Sequence, residues 1–564
     1  MADGAVLKPA TPVRRWRVRA RARAPRALLA AALLWACAGP AALAQTGAAP
    51  APTSTPTPAP VLRWATQADL RTLDPHAQND SLTNSVNGHI FERLTARDEA
   101  MQLVPSLAKR WEQVAPLRWR FWLRRGVRFH GGEPFSADDV VFSIQRAQNV
   151  RSGVAQYARA LGRVVKMDEG TVDFELSQPN PVFLDHVDAI FIVSQPWMTE
   201  RGLQAPIRRE GGADPGLRQA NGTGPFRLVL REPDVQTVME RHRAHWAGPA
   251  HGAGNIARLV HHPISSNAAR MAALLGGAVD LVTDPPASDL DALAANPRFR
   301  LNSVVENRVV FLGMDQDRAR LPDASTAHAN PFKDLRVRQA LAHALNVPGL
   351  VQGVLRGRGQ PALCLSPSPA ACALAPELAR LGLPHNPARA RQLLADAGWA
   401  QGFAVTLNCQ DRFGTICQAM APMLERVGVR TQVQIEPATL FYGRLDRRDA
   451  HFYVLSWGGA EDDPQPTMDP LMHSWNAATG QGQENHGRFA DAGLDALINA
   501  AGQESDPARR APLLRQALVR HEAGRHHLTL LRPALSWVMR KDVRATPLPS
   551  GRVQGWMFSV RPAM

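Results

Sequence analysis

The order of apolar patterns between residues 404 and 457 constrains the fold more than any other feature of the sequence. A strand pattern at 404–408 precedes a helical pattern, and further strand patterns cover 430–435 and 451–457. The apolar face of that helix consists of Ile416, Met420, Met423, Leu424 and Val427. Strand–helix–strand order implies a right-handed crossover and a sheet covered by helices. The sequence therefore predicts an α/β fold.

Capping residues define the helices on either side of this segment. Ser136, with Asp139 three residues later, predicts a capping box and a helix that continues through Ile144. Asn386 caps another predicted helix, and Asp506 begins the last one.

The chain is longer than one compact core accommodates. Its 564 residues imply two or three domains, and a hydrophobic fraction of 45% with 20% charged residues is typical of a folded protein. The formal charge is +15, but residues 1–44 contain eight arginine or lysine residues and only one acidic residue, Asp3, which leaves +8 for the rest. The remaining arginines are scattered, which argues against nucleic-acid binding.

The N-terminus predicts export to the periplasm. Arginines up to Arg26 precede an apolar run from Ala27 to Ala36, and Ala42-Leu43-Ala44 supplies a small-x-small cleavage pattern before Gln45. We therefore expect residues 1–44 to be a signal peptide, with a lipoprotein site at Cys37 and a twin-arginine signal at Arg14-Arg15 as alternatives. Residues 45–60 are rich in proline and threonine and predict a disordered linker.

Four cysteines outside the signal form two close pairs in sequence. Cys364 precedes Cys372 by eight residues, and Cys409 precedes Cys417 by the same interval. Neither pair has the C-x-x-C spacing of a zinc site or a thioredoxin-like site. Since export permits disulfides, we expect each pair to form one.

Several sequence blocks resemble the family 5 solute-binding proteins of ABC transporters, which include peptide- and nickel-binding members. The blocks are TLDPH (72–76), PSLAKRW (105–111), LRRGVRFHGGEPFSADDVVFS (123–143), GTGPFRLV (222–229), ERHRAHW (240–246), ARMAALLGGAVDLV (269–282), FKDLRVRQALAHAL (332–345), ARARQLLADAGW (388–399) and NHGRFADAGLDALI (485–498). They occur in the order of that family and cover nearly the whole chain after the linker.

The resemblance implies a two-lobed periplasmic-binding-protein fold of the class II type, with an extra subdomain in the larger lobe. Lobe I then comprises 61–308 and 530–564, and lobe II comprises 309–529. A small-molecule or peptide ligand is expected between the lobes of a monomer, which delivers it to an inner-membrane ABC permease. The resemblance implies no enzymatic activity, no cofactor and no resident metal.

The predicted ligand site follows the strand pattern at 451–456. Trp457, Gly458 and Gly459 bring an aromatic face and backbone amides to the carboxyl end of a strand, where α/β proteins bind ligands. Peptide-binding relatives carry an aspartate three residues after this tryptophan, which pairs with the ligand's α-amino group, but this chain has Ala460. The remaining candidates are Glu461 and Asp462 in lobe II and Leu73, Asp74 and Tyr157 in lobe I.

The alternative function is an exported hydrolase or a metal-dependent enzyme that uses the clustered histidines. The sequence contains no G-x-S-x-G elbow, P-loop or strand-linked G-x-G-x-x-G. His521-Glu522 and His526 imitate a zinc-protease motif, but histidines five residues apart diverge by ~140° on a helix. The adjacent pairs His261-His262 and His526-His527 also diverge. The residues therefore favour a solute receptor.

Overall fold

The computed structural model describes residues 60–207, 218–248, 254–322, 325, 329–459 and 461–561. The predicted signal peptide, Cys37, nearly all of the predicted linker and Ala460 lie outside the described residues. Among the helices that are described, none combines the length and the apolarity needed to cross a membrane.

One large sheet of twelve strands runs through the molecule. Its main path, in spatial order, is Val429–Glu436, Phe403–Gln410, Phe452–Gly458, Arg308–Met314, His527–Arg540, Leu281–Val282, Val61–Thr66, Arg258–Pro263, Gln236–Arg241 and Phe226–Glu232. Two further strands, Phe299–Val305 and Gly359–Pro361, also pair with His527–Arg540.

The strand His527–Arg540 belongs to both lobes. Its first part pairs antiparallel with Arg308–Met314 in lobe II, and its second part pairs antiparallel with Phe299–Val305 in lobe I. The chain crosses a second time in the short connection between Phe299–Val305 and Arg308–Met314. Two adjacent crossings are the arrangement expected of a hinge, and the two-lobed α/β fold predicted from the sequence is confirmed.

Lobe II contains the predicted crossover. Phe403–Gln410 pairs parallel with Val429–Glu436 and with Phe452–Gly458. The helix Gly414–Glu425 connects the first pair and buries Ile416 and Met420 against the sheet. The other helical segments of lobe II are Pro331–Lys333, Leu335–Ala344, Val347–Gly353, Pro369–Ala373, Leu378–Leu381, Pro387–Asp396, Asp411–Phe413, Ala438–Asp446, Gln465–Thr467, Met468–Met472, Ala492–Gln503 and Pro507–Gly524.

Lobe I carries the extra subdomain. Its antiparallel sheet has the strand order Ala108–Ala115, Arg118–Leu123, Thr171–Glu175 and Arg163–Asp168. Phe121 and Phe174 lie in a separate hydrophobic core beneath this sheet. Two short hairpin pairs complete the strands: Thr95–Arg97 with Leu103–Pro105, and Val543–Arg544 with Ser559–Val560.

The helix Ala137–Ala147 begins at the predicted capping box. Ser136 accepts a hydrogen bond from the Asp138 amide, and the Asp139 carboxylate accepts the Ser136 amide at 2.8 Å. The other helical segments of lobe I are Ser81–Ile90, Ala155–Arg159, Phe183–Val187, Gln195–Glu200, Asn267–Leu275, Ala287–Asp289, Leu290–Ala295 and Gly555–Met557.

Both predicted disulfides are confirmed. Cys364 is bonded to Cys372, and Cys409 is bonded to Cys417. Cys409 lies near the end of the strand Phe403–Gln410 and Cys417 lies in the first turn of the next helix, so the bond closes a short strand-to-helix loop. A loop of this size stabilises the folded chain by ~2–3 kcal/mol in the chain-entropy account.

Candidate functional site

A cleft of about 2700 Å³ lies between the lobes and is lined by residues of both. Its lobe I wall includes the loop that follows Val61–Thr66 and the start of the helix Ser81–Ile90. Its lobe II wall includes the end of Phe452–Gly458 and the loop that follows Phe403–Gln410. Residues that follow strand ends therefore line both walls of the cleft. Crevices beside strand ends are a usual position for a ligand in an α/β protein.

Arg308 lies at the base of the cleft beside the end of Phe452–Gly458. It pairs with Gly458 in the sheet register, and a Cβ atom on Gly458 would lie only 2.8 Å from the Arg308 guanidinium. Glu306 accepts a 2.7 Å hydrogen bond from the Arg308 Nε, and Ser456 and Ser81 lie at 3.3 and 3.5 Å from the same guanidinium. Arg308 is therefore neutralised by Glu306 and also reaches lobe I through Ser81.

Arg412 enters the cleft from the loop closed by the Cys409–Cys417 disulfide. Its guanidinium lies 4.8 Å from the centre of the Phe413 ring. Within the part of the chain that the structure describes, no carboxylate lies within ion-pair distance of Arg412. The side chain is accessible from the cleft, yet the pKa of Arg412 is lowered, chiefly by removal from bulk water and secondarily by the positive charge of Arg308. Among the described residues, Arg412 thus forms no ion pair, although the more distant negative charges of Glu306 and Asp284 partly offset these effects on its pKa.

Tyr157 lines the cleft from lobe I. Its ring lies 5.7 Å from the ring of His186, and burial, with a smaller contribution from the negative charge of Glu461, raises the pKa of its hydroxyl. Polar amide side chains of both lobes surround this end of the cleft, and Gln483 of lobe II donates a hydrogen bond to Gln156 of lobe I. The cleft therefore offers hydrogen-bonding groups on both walls.

The structure places three of the predicted site residues on the cleft wall: Tyr157, Trp457 and Gly458. Trp457 is partly buried, and its inner part packs on the core of lobe II. Gly459 follows directly and donates its amide to the Asn307 carbonyl at 3.1 Å.

The acidic residues Glu461 and Asp462, after Gly459, are not on the cleft wall among the described lining residues. Asp462 accepts a 2.6 Å hydrogen bond from Ser368, within lobe II. Glu461 lies near lobe I, because its charge acts on the pKa values of Arg97 and Tyr157.

Leu73 and Asp74 lie away from the cleft. Leu73 is 2% exposed and belongs to the core of lobe I. Asp74 is buried and accepts two hydrogen bonds from Arg146, at 2.8 and 2.6 Å. The structure therefore places both residues in the interior of lobe I.

Sequence reasoning missed Arg308 and Arg412. The strand Arg308–Met314 has a short apolar run, Val309 to Leu312, that is typical of a buried strand, but Arg308 itself precedes that run and carries no local signal of a ligand site. Arg412, in contrast, follows the predicted strand at 404–408, and the rule that selected Trp457 at a strand end applies equally to it.

Of the clustered histidines, His521, His526 and His527 lie in lobe II, whereas His261 is buried in lobe I and lies 2.7 Å from the Thr66 hydroxyl. The His521 and His527 rings are hydrogen bonded at 3.1 Å, and His526 stacks on Phe489 at 4.2 Å. Among the described residues, no group of three or more histidine, cysteine, aspartate or glutamate side chains is arranged to hold a metal ion. The three histidines of lobe II thus form a hydrogen bond (His521 with His527) and a stacking contact (His526 with Phe489).

The fold and the cleft define a bacterial solute-binding protein with two lobes. The sequence profile of bacterial extracellular solute-binding proteins, family 5, matches residues 102–479. The chain belongs to this family, whose members are substrate-binding proteins of ABC importers.

Individual relatives differ in the ligands for which they are named. The chain is 27% identical to heme-binding protein A of Haemophilus influenzae, over 77% of this chain and 80% of that protein. It is 26% identical to di/tripeptide-binding protein 1 of Pseudomonas aeruginosa, over 76% of this chain and 80% of the relative.

Solved structures share the fold. The Helicobacter pylori periplasmic binding protein DppA in complex with the peptide STSA has a TM-score of 0.75 and 20% identity, covering 89% of this chain and 98% of that one. NikZ of Campylobacter jejuni in complex with Ni(L-His) has a TM-score of 0.74 and 21% identity, covering 88% of this chain and 99% of that one.

Proposed function

We propose that this protein captures a peptide or a peptide-sized polar solute between lobe I (61–308 and 530–564) and lobe II (309–529). It acts as a monomeric periplasmic receptor without catalytic activity and delivers its ligand to an inner-membrane ABC permease. The observation that carries this proposal is the cleft, which has polar and charged side chains of both lobes on its walls. Relatives named for di/tripeptides and for glutathione support a ligand of this size.

The charged side chains of the cleft indicate which chemical group of the ligand contributes most to binding. Arg412 offers a cleft-facing guanidinium that forms no ion pair among the described residues, so a ligand carboxylate there forms a charge-assisted, bidentate pair. The position that supplies the amine-binding aspartate in peptide-binding relatives is Ala460 here, which has no charge. Asp463 is paired with Arg510 within lobe II. We therefore propose that the ligand is held by an anionic group and not by a free α-amine.

Calorimetry with chemically blocked peptides tests this proposal. We expect N-acetylation of Met-Leu or Ser-Thr-Ser-Ala to change the affinity by less than about tenfold, which is ~1.4 kcal/mol. Amidation of the C-terminus removes the carboxylate and is expected to cost more than about tenfold. A large loss on acetylation with none on amidation would overturn the assignment of the ligand ends. Failure of both peptides to bind would argue against a peptide ligand.

An ion-pair group bridges the lobes next to the hinge. Asp291 of lobe I pairs with Arg356 and Arg358 of lobe II at 3.1 and 2.6 Å. The Arg358 carbonyl also accepts the amide of Ala534 in the strand shared by the lobes. This group therefore favours the arrangement in which the lobes approach each other.

Asp291→Asn is expected to shift the ligand-free protein toward an open state and to weaken ligand binding by up to about fivefold, since exposed ion pairs contribute ~0.2–1 kcal/mol. The effect should shrink at about 1 M salt. Interlobe fluorescence energy transfer measures the shift. Glu175→Gln breaks the Arg163–Glu175 pair within the subdomain and should leave the transfer efficiency unchanged; an equal shift in both variants would refute the bridging role.

A further inference from the structure

The Cys409–Cys417 disulfide encloses a loop whose residues line the cleft almost without interruption. The cleft-lining members are Gln410, Asp411, Arg412, Phe413, Thr415 and Ile416. Gly414 alone turns away, and a Cβ atom there would lie 3.0 Å from Ile435. One cross-link therefore closes a continuous piece of the cleft wall.

The second disulfide has no such relation to the cleft. Cys364 and Cys372 enclose residues 365–371, none of which lines the cleft, and both cysteines are buried in the core of lobe II. Both disulfides span the same sequence separation of eight. The molecule thus provides its own matched control.

The Arg412 loop, residues 410–416, consists of the helical turn Asp411–Phe413 and the first turn of the helix Gly414–Glu425. The Arg412 amide hydrogen bonds to the neighbouring Asp411 carboxylate at 2.7 Å, and both side chains are exposed to the cleft. Phe413 and Ile416 are its apolar anchors, at 4% and 3% exposed. Cys409 and Cys417 are fully buried and fix both ends of the loop. The disulfide adds a covalent restraint to these anchors, and restraining a binding segment before the ligand arrives strengthens binding.

We propose that the Cys409–Cys417 disulfide is a positioning element that preorganises Arg412, so that selectivity for a ligand with an anionic end depends on this bond. The inference rests on the proposed function insofar as Arg412 contacts ligand. A disulfide with a merely structural role would affect all ligands equally. A positioning role predicts a selective loss for ligands that carry the carboxylate.

The test compares Cys409→Ala/Cys417→Ala with the matched control Cys364→Ala/Cys372→Ala, using Met-Leu and its C-terminal amide as probes. We expect the first variant to lose about tenfold or more in affinity for Met-Leu, with a smaller change for the amide. The control variant should keep the parent's preference between the two probes. Arg412→Gln should cost less in the first variant than in the parent. Equal losses for both probes would overturn the inference.

Hydrogen exchange of the ligand-free protein provides a second measurement that does not depend on the ligand. Backbone amides at 411–416 should exchange faster in Cys409→Ala/Cys417→Ala than in the parent and in the control variant. Unchanged exchange there would overturn the inference on its own. If the parent binds neither probe, the proposed peptide ligand fails while the exchange result still decides whether the bond orders the loop. If the double variant does not fold, chemical reduction of the folded Cys364→Ala/Cys372→Ala variant, in which Cys409–Cys417 is the remaining disulfide of the described residues, takes its place.

Discussion

Arg146→Ala is expected to lower the free energy of unfolding by about 3–5 kcal/mol. The Arg146 side chain is fully buried and donates two hydrogen bonds to the Asp74 carboxylate. It also contacts the His76 ring at 3.1 Å and donates to the Leu203 carbonyl. Removing the guanidinium leaves the Asp74 carboxylate buried without a compensating positive charge. Removing one partner of a buried ion pair in this way destabilises a protein strongly.

Urea denaturation of the parent and variant measures this loss. Arg163→Ala is the control, because it breaks an ion pair with Glu175 in which the arginine is 73% exposed, and such a pair contributes only ~0–1 kcal/mol. A loss below about 1 kcal/mol for Arg146→Ala would show that the buried pair does not stabilise lobe I as the structure indicates.

Acidification from pH 6.5 to pH 4 is expected to lower the free energy of unfolding by several kcal/mol. Burial lowers the pKa of six histidines, to about 4 for four of them and to about 3 for two, and it lowers that of His527 well below 6.5. The six are His76, His89, His130, His186, His261 and His526. In the unfolded chain these rings bind protons near pH 6.5, whereas in the folded protein they stay neutral. The free energy of unfolding that depends on these neutral histidines is therefore at its maximum above pH 6.5, and it falls as the pH decreases toward 4.

Four carboxyl groups act in the opposite direction. Burial raises the pKa of Asp185, Asp284 and Asp469 to about 6 and also raises that of Asp139, so their protonation on acidification favours the folded state. The seven histidines outnumber these four carboxyl groups, and each histidine contributes up to ~1.4 kcal/mol per pH unit within its window. We expect a net loss of several kcal/mol, about 3 or more, by pH 4.

Denaturation curves at pH 7.5, 6.5, 5 and 4 measure this dependence. His526→Phe keeps a ring on Phe489 and should flatten the pH profile, whereas replacing the exposed His385 by glutamine should not. Stability that is equal or greater at pH 5 than at pH 7.5 would contradict the assignment of these histidines as neutral in the folded state.

Local signals predicted much of the fold. The strand predicted at 430–435 is observed as Val429–Glu436, and the capping box at Ser136 and Asp139 begins the expected helix. The crossover that contains Gly414–Glu425 follows from periodicity alone. These elements depend on residues close in sequence, so short-range reasoning suffices for them.

The strand His527–Arg540 shows why other elements were missed. Its fourteen residues include Pro533 and alternate poorly, because the first part is buried in lobe II and the second in lobe I. Period-two alternation requires one buried face along the whole strand, which a strand shared by two lobes does not have.

The site was predicted only in part for a related reason. Trp457 and Gly458 were found from the strand end that precedes them, and they line the cleft. Asp74 was selected by its family position, yet its partner Arg146 lies 72 residues away and holds it in the interior. Long-range pairing of this kind is set by tertiary packing and leaves no local pattern.

Small-angle X-ray scattering of the ligand-free and the ligand-saturated protein tests most directly whether the two lobes close around a solute. The ligand for this measurement is the solute that native mass spectrometry finds bound to the protein purified from its host. If the two lobes capture that solute, the radius of gyration should decrease when the ligand-free protein is saturated with it. A radius of gyration that stays the same under proven saturation would contradict capture by closure of the lobes.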